Sequence, residues 1–322
     1  MRYYEIVITS PAGTSNQPAV TKRFSSLNPD GTTNLGALQI EFDFPVWAMA
    51  EPAGTAFLRV WGISIVDISQ ARNYNGSKIQ VYAGMAAGLP LANPAYRGLI
   101  MEGTVQQAFG NWQETNQCLD FVIQPYVGAQ DAPANIVLDW KAGTQLAAAL
   151  AQTLTAAFPG YQAPVINISP NLVLPADEVA YFQTATQLAQ YLKQVTQALI
   201  QGNYPGVDMV IRNNQVVVYD GTSRGKPQQL KFIDLIGQPT WLDFGTIQFK
   251  CAVRADLNVN DYVTMPPSPI VVTAQTYSQY KNQATFRSTF QVIRVRHVGN
   301  YRQRDASAWV TIFDAVQLPE GS

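Results

Sequence analysis

Charge is scarce in this chain. Asp, Glu, Lys and Arg make up 13% of its 322 residues, about half the usual share of about 25%. The 21 basic and 22 acidic side chains nearly cancel, for a formal net charge of −1. Sequence-independent nucleic-acid binding needs a basic footprint, which this balance does not supply. Histidine is scarcer still: His297 stands alone, so a metal site built on two or more histidines of one chain is excluded. The two cysteines, Cys118 and Cys251, form no CxxC pair and lie far apart. That excludes a disulfide scaffold and a zinc ribbon, and two buried free thiols are expected. No run of about 18 apolar residues exists, so no spanning helix is expected. The opening MRYYEIVI runs straight into strand-like alternation, so no secretory signal is expected, and with no export no outer-membrane barrel.

What is present is a well-folded composition. Hydrophobic residues are 47% and aromatics 11%, too many for a disordered chain. A length of 322 suggests two or three domains. With so little net charge, long-range repulsion between copies is weak and association is favoured. An uncharged surface on a folded chain is expected where much of that surface meets other proteins.

The first 125 residues read as β. Leu38, Ile40, Phe42 and Phe44 alternate with Gln39, Glu41 and Asp43, which puts the apolar set on one strand face. Pro45 restricts that strand to an end or an edge. Further strands are predicted at 57–65, 78–83, 98–105 and 117–124. Turns are predicted at Asn28-Pro29-Asp30-Gly31, Asn75-Gly76 and Phe109-Gly110-Asn111. The period then changes. Leu146, Leu150, Leu154 and Phe158 recur at i+4, predicting a helix stopped by Pro159-Gly160. A second helix is predicted from Thr184, with a Thr184–Gln187 capping box, a stripe of Leu188, Tyr191, Leu192, Val195 and Leu199, and Gly202 at C′. These helices read as a small α/β insert. Strand patterns return at 208–212 and 215–219, spaced as a hairpin around Asn213-Asn214, and again at 246–253, 262–265, 290–298 and 308–313. Between them 265–269 reads as a stiff break and 278–288 as a loop.

The two β regions echo one another weakly. Each runs strand, polar connection, turn with a short strand, loop, long strand: 58–63, 76–81 and 96–105 in the first, 247–251, 257–263 and 290–298 in the second. Identity is very low, and duplication is one reading among others.

Motifs for chemistry are few. No P-loop, dinucleotide fingerprint or nucleophile elbow occurs. A serine triad would have to use His297, which sits in a strand-like run between Val295 and Val298 and reads as structural. Carboxylate pairs suited to glycoside hydrolysis would be Asp177 with Glu178, Asp243 with Asp256, or Glu102 with Glu114; none has a spacing that predicts facing carboxyls. Among the arginines, Arg294 and Arg296 are two apart and share a strand face, and Arg302 and Arg304 follow in a polar stretch with Asp305. They read as a solvated or ion-paired face, or as an interface or channel lining.

Three stretches carry a family resemblance. LRVWGISIVDISQARNYNGSKIQVYAGM at 58–85, with YRGLIMEGTV at 96–105, is similar to a pattern of strand, polar step, glycine turn and two further strands. DLIGQPTWLDFGTIQFKCAVRADLNVNDYVTM at 234–265 follows an Ile-Gly-x-Pro, strand, turn, strand order, with Asn260-Asp261 where a proline-glycine type turn is usual. FQVIRVRHVGNYRQRDASAWVTIFDA at 290–315 is similar to a closing strand pair, with Asn300 where aspartate is common. In this order and spacing they resemble the Mu-like baseplate hub proteins of contractile-tail phages. The resemblance implies a mainly β (α+β) fold: two tail-tube-like β-barrel modules, at 1–130 and 241–322, around an α/β insert at 131–240. It implies a non-enzymatic homotrimer without cofactor or metal, joining the six-fold tail tube to a three-fold spike or tail-tip protein. Other baseplate proteins would contact it, and DNA would meet it only in transit through the enclosed channel. Arg294, Arg296, Arg302 and Arg304 become candidates for the interface or lumen. Assembly in a host cytoplasm and residence in the virion follow. The alternatives are a tail-associated cell-wall hydrolase, and a distal-tail adaptor of a non-contractile tail or related injection system.

Overall fold

The alternation at 38–44 becomes a strand in the computed structural model, which describes residues 1–10, 21–51, 55–86, 93–125, 135–200, 202, 204–212, 215–266, 286 and 288–318. The first part holds β1 (Arg2–Thr9), β2 (Thr21–Ser25), β3 (Gln39–Val46), β4 (Ala56–Trp61), the short helix α1 (Ile65–Ser69), β5 (Lys78–Met85), β6 (Gly98–Gln113) and β7 (Asn116–Pro125). The middle holds β8 (Ile136–Trp140), α2 (Leu146–Ala157), β9 (Gln162–Asn167), β10 (Glu178–Phe182), α3 (Ala185–Leu199), β11 (Asp208–Arg212) and β12 (Gln215–Tyr219). The last part holds β13 (Gln228–Gln229), β14 (Thr240–Asp243), β15 (Thr246–Ala252), β16 (Tyr262–Thr264), β17 (Thr289–Asn300) and β18 (Trp309–Gln317). The fold is mostly β, as expected. The predicted loop at 278–288 and the hairpin turn at 213–214 fall largely outside the described residues.

One 13-stranded sheet runs β14-β15-β18-β17-β3-β4-β7-β6-β5-β1-β2, with β16 on β17 and β13 on β16. Its two halves repeat a pattern. The antiparallel order β3-β4-β7-β6-β5 recurs as β14-β15-β18-β17-β16. The likeness reaches single bonds. Val105 receives the N–H of Gly76 and donates to Ser77 O; Val292 receives the N–H of Asn260 and donates to Asp261 O. Gly76 has φ +76° and Asn260 φ +71°. Asn is one of the few non-glycine residues that tolerate this left-handed conformation, so the Asn260-Asp261 turn keeps the geometry of its glycine counterpart. A bulge follows each valine, between Val105 and Gln107 and between Val292 and Arg294. The weak echo is therefore a shared topology.

The first half curls. In a flat sheet β1 would lie five strand steps, about 24 Å, from β3. Instead the Tyr4 phenol donates to Leu38 O at 2.6 Å, and Tyr4, Ile6 and Ile8 share one core with Ile40, Phe42 and Phe44. Trp309 from β18 enters this core, packs edge-on against Phe42, and donates its indole N–H to Gly84 O at 3.0 Å. Pro45 stands past the end of the β3–β4 ladder, opposite Arg296 of β17. Its missing N–H therefore interrupts no pairing with β4.

The insert has a separate core. The face of α2 carrying Leu146, Leu150 and Leu154, followed by Phe158, is buried as predicted, each leucine contributing about 1.5–3 kcal/mol. Thr184 caps α3 by accepting the Gln187 N–H at 3.2 Å. The return bond of the capping box lands one residue early, on the Gln183 N–H. The helix ends at Leu199 with Ile200 as its cap, so Gly202, φ +96°, stands one place beyond the predicted C′. The hairpin β11–β12 explains its unbroken apolar run by burial on both faces. Met209, Val216 and Val218 join the insert core, while Val210, Val217 and Tyr219 join the core of the second β half.

One predicted turn is wrong. β6 continues through Phe109-Gly110-Asn111 and turns only after Gln113, where Glu114 takes φ 55°. Gly110 is needed for close approach instead: a Cβ there would lie 2.4 Å from Ile68 Cγ2 and 2.8 Å from the Ile68 carbonyl oxygen of α1. Because backbone is among the obstacles, Gly110→Ala is expected to cost about 1–3 kcal/mol by overpacking, read as a lowered urea midpoint with unchanged slope. A variant as stable as the parent would refute this packing account.

Candidate assembly surface

The two halves of the sheet meet where β17 pairs with β3, from Val295↔Val46 to Asn300↔Glu41. The bulge before Arg294 decides what this ladder presents. Phe290 and Val292 point inward; continued alternation would send Arg294 and Arg296 inward too. The extra residue shifts the phase, so Val295 and His297 are buried and both arginines are exposed. Arg296 makes a bidentate pair with Asp43, its Nε donating to Oδ1 at 2.7 Å. Arg294 donates to Glu51 at 3.2 Å and lies over Trp47. Cross-strand partners extend this polar face: Arg59 is bidentate to the buried carboxylate of Asp120, and Asn300 donates to Glu41 at 3.1 Å.

Arg302 and Arg304 lie in the loop after β17. Arg302 donates to Ala37 O at 2.7 Å, and its backbone N–H donates to Gln39. Arg302 and the exposed Arg304 both line a shallow groove against Arg2, Leu35 and Ala37. The residue that organises this loop escaped sequence reasoning: Arg2 donates to the carbonyls of Asn300, Tyr301, Gln303 and Asp305. Nothing in the residues around Arg2 marks it, because all its acceptors lie some 300 positions away. Arg254 was likewise missed. It is 1% exposed, bidentate to Asp256, and stacked 4.0 Å over Tyr96. Burial opposes its charge, yet Asp256 holds its pKa above the ordinary value.

The edges differ in protection. β2 carries Lys22 and Arg23, paired with Asp67 and Glu5, the kind of charge that discourages strand addition. β14 is exposed along its whole length and bears Trp241 and Leu242, followed by a fully exposed Phe244. A second open stretch lies on β6. In β17 the segment after the bulge pairs with β3; the matching segment of β6, from Phe109 onward, pairs with β7 alone among the described residues. Trp112 stands exposed there.

The residues considered for chemistry have structural partners. Asp177 accepts the Ala142 N–H, Glu178 the Tyr191 phenol, Asp243 the Thr246 N–H, and Glu102 the Lys78 ammonium. Asp256 is taken by Arg254, and Glu114 is a turn residue. Both cysteines are free and buried, and burial pushes the Cys251 thiol up to about 12. His297 is buried, its Nδ1 2.9 Å from Thr311 Oγ1. Among the described residues no cluster of three His, Cys, Asp or Glu could hold a metal ion, and no helix is long and apolar enough to cross a membrane.

Two measurements probe this surface. Burial lowers the His297 pKa from 6.5 to about 3, so the unfolded chain binds a proton that the folded chain refuses. Stability from this residue is complete above pH 6.5 and falls by about 1.4 kcal/mol per unit below it. Urea unfolding between pH 6.5 and 5 should show that slope, reduced by one proton in His297→Asn; equal slopes would refute it. Arg296→Ala, breaking an exposed pair, should cost no more than about 1 kcal/mol, and a larger loss would show that the pair supports the seam itself.

No protein-family model matches the sequence, and no curated protein matches it. Solved structures do. The Escherichia coli c3393 protein, a type VI secretion system component with structural similarity to the T4 tail proteins gp27 and gp5, aligns with a TM-score of 0.53 at 7% identity, over 89% of this chain and 76% of that one. The 43 kDa tail protein of prophage MuSo2 from Shewanella oneidensis gives 0.52 at 8% identity, over 97% and 96%. A tail protein from Neisseria meningitidis MC58 gives 0.50 at 10% identity, over 98% and 96%. The structural neighbours of this chain are thus phage tail proteins and a secretion-system component, in line with the hub resemblance, and it shares their fold.

Proposed function

We propose that the protein is the structural hub of a phage tail baseplate, a homotrimeric adaptor between a six-fold tube and a three-fold spike, with modules at 1–130, 131–240 and 241–322. The observation that carries the reading is the β17–β3 seam. One copy already joins two topologically equivalent β units by laying the first strand of one unit along the bulged strand of the other. The same join can be made once more per chain, because β14 is the counterpart of β3 and the open stretch of β6 is the counterpart of the paired stretch of β17. A join from β14 of one copy to β6 of the next is heterologous, and such contacts close into a ring when the rotation allows. Three copies then present six equivalent units around one axis. The separate hydrophobic clusters of the two units and the insert support the module division.

The composition agrees with this reading. Obligate interfaces bury about 2,000–5,000 Å² or more and are poor in charge at their cores, and a ring of this kind would cover β14 and Trp112. In such a ring Arg294, Arg296, Arg302 and Arg304 face a subunit interface or the lumen. Pairing of Arg294 and Arg296 with Glu51 and Asp43 offsets their attraction for phosphate, as a conduit that must release DNA requires. The protein would act by shape and buried area in the virion, assembled in the host cytoplasm and bound to tube, spike and other baseplate proteins. The likeness to a secretion-system component keeps an adaptor of a related injection system within the same reading.

Light scattering on the purified chain should give three times the 35.4 kDa chain mass. Leu242 is exposed in the single chain, so Leu242→Asp should leave folding intact and convert the trimer to monomer. A parent that stays monomeric at high concentration, or a Leu242→Asp variant that stays trimeric, would sink the reading.

A further inference from the structure

The ladders that define the two β units also fix where a second copy would sit on the open edges. In the first unit Asp43 of β3 pairs with Phe57, Phe57 with Val122, and Val122 with Gln107, the residue that resumes the ladder after the β6 bulge. In the second, Thr240 of β14 pairs with Gln248, Gln248 with Asp314, and Asp314 with Arg294, the residue that resumes the ladder after the β17 bulge. Thr240 is therefore the counterpart of Asp43, and Gln107 that of Arg294. Within the chain Asp43 lies opposite Val298, four residues beyond Arg294. The residue four beyond Gln107 is Asn111. The same seam made between copies sets Thr240 opposite Asn111, and Trp241 opposite Gly110 as Phe44 lies opposite His297.

Side-chain direction agrees with this register. Trp241 leans into its own unit, stacked on Phe286 and 6.2 Å from the buried Phe290. A Cβ on Gly110 would point at Ile68, which packs on the core of the other unit. A slip by one residue would set Trp241 opposite Phe109 or Asn111. Those two lie on the other face, where Phe109 is paired with Asp120 and Asn111 donates to its carboxylate at 2.9 Å. Size agrees as well: Phe44 meets a histidine, and the larger Trp241 meets a residue with no side chain.

Both edges carry apolar surface for such a contact to cover. Trp241, Leu242 and Phe244 are exposed on one, and Trp112 with Ile65 and Val66 of α1 on the other. Exposed apolar patches of this kind mark protein contacts. Charge differs between the two seams. Where the seam within the chain has Arg294, Arg296 and Asp43, the seam between copies has Gln107, Phe109 and Thr240.

We propose that a second copy of this chain docks β14 on β6 in one register, Thr240 opposite Asn111 and Trp241 opposite Gly110, through an apolar seam in place of the ion-paired one. The proposal rests on the ring reading above and adds its register and chemistry.

The test is disulfide trapping in the full chain. Cys118 lies opposite Asn111 on β7 and would compete, so the background is Cys118→Ala/Cys251→Ala. There Asn111→Cys/Thr240→Cys should oxidise to covalent dimers and trimers on a non-reducing gel. Directly opposed strand residues have Cα atoms about 4.5–5.5 Å apart, within the span of a disulfide. Phe109→Cys/Thr240→Cys, displaced by two residues on the same face, should stay as single chains. Asn111→Cys and Thr240→Cys should each stay unlinked alone and give covalent dimers when co-expressed. Light scattering before oxidation reports assembly separately. As a trap without engineered cysteines, Trp241 replaced by benzoylphenylalanine should photo-link to β6 or α1 of another copy. A trimer that yields no link between positions 111 and 240, or whose displaced pair links as readily, overturns the register and leaves the trimer reading standing. Photo-linking to any other segment, or a single-cysteine variant that links alone, does the same. A monomeric parent overturns both.

Discussion

The ladder between β3 and β17 is the contact on which the rest of this molecule depends. It joins strands some 250 residues apart and converts two five-strand units into one sheet. Everything near it is arranged for close approach. Gly299 gives the Phe42 ring room that a Cβ would occupy at 2.2 Å. His297 is buried opposite Phe44 and beside Thr311. Arg2 clamps the loop that leaves β17. The bulge before Arg294 makes the contact possible, since without the phase shift the ladder would bury two guanidinium groups. Burying such groups is costly unless they are paired.

Scarce charge is placed with economy. The pairs Arg59–Asp120 and Arg296–Asp43 lie across neighbouring strands on the outer sheet face, and Arg254–Asp256 locks a turn behind Tyr96. Few charges remain to repel a second copy. The surface left over is largely apolar or amide-bearing at β14 and at the end of β6. Ion pairs hold its own strands together, and the exposed edges carry little charge.

Much of the local structure was legible because local rules are strong. The i+4 leucines of α2, the Thr184 cap, the alternation of β3 and the positive φ at Gly76 each follow from a few adjacent residues. The errors came where a distant element overrode local grammar. Gly110-Asn111 has turn chemistry, but the glycine is there to admit Ile68. Asn260 looked like a departure from a glycine turn, yet it adopts the same conformation and bonds. For the candidate surface, the shared face of Arg294 and Arg296 follows from strand period alone. Which face that is depended on a bulge with no sequence signature. Arg2 gave no signal because its acceptors lie some 300 positions away, and although Asp256 stands two residues from Arg254, the burial of that pair against Tyr96 is set by the folded chain.

By itself the sequence determined the class of the protein: β, then α/β, then β, poor in charge, with no histidine pair, cysteine pair or phosphate loop to carry chemistry. Those conclusions rest on composition and short-range periodicity, which act within a few residues. The tertiary structure alone decided that the two β regions are one topology repeated, that they share a sheet, and that one edge of each unit is used and the other left open. Strand pairing is set by register between segments far apart in the chain. Backbone hydrogen bonds, nearly the same for every residue type, leave little trace of that choice in the letters.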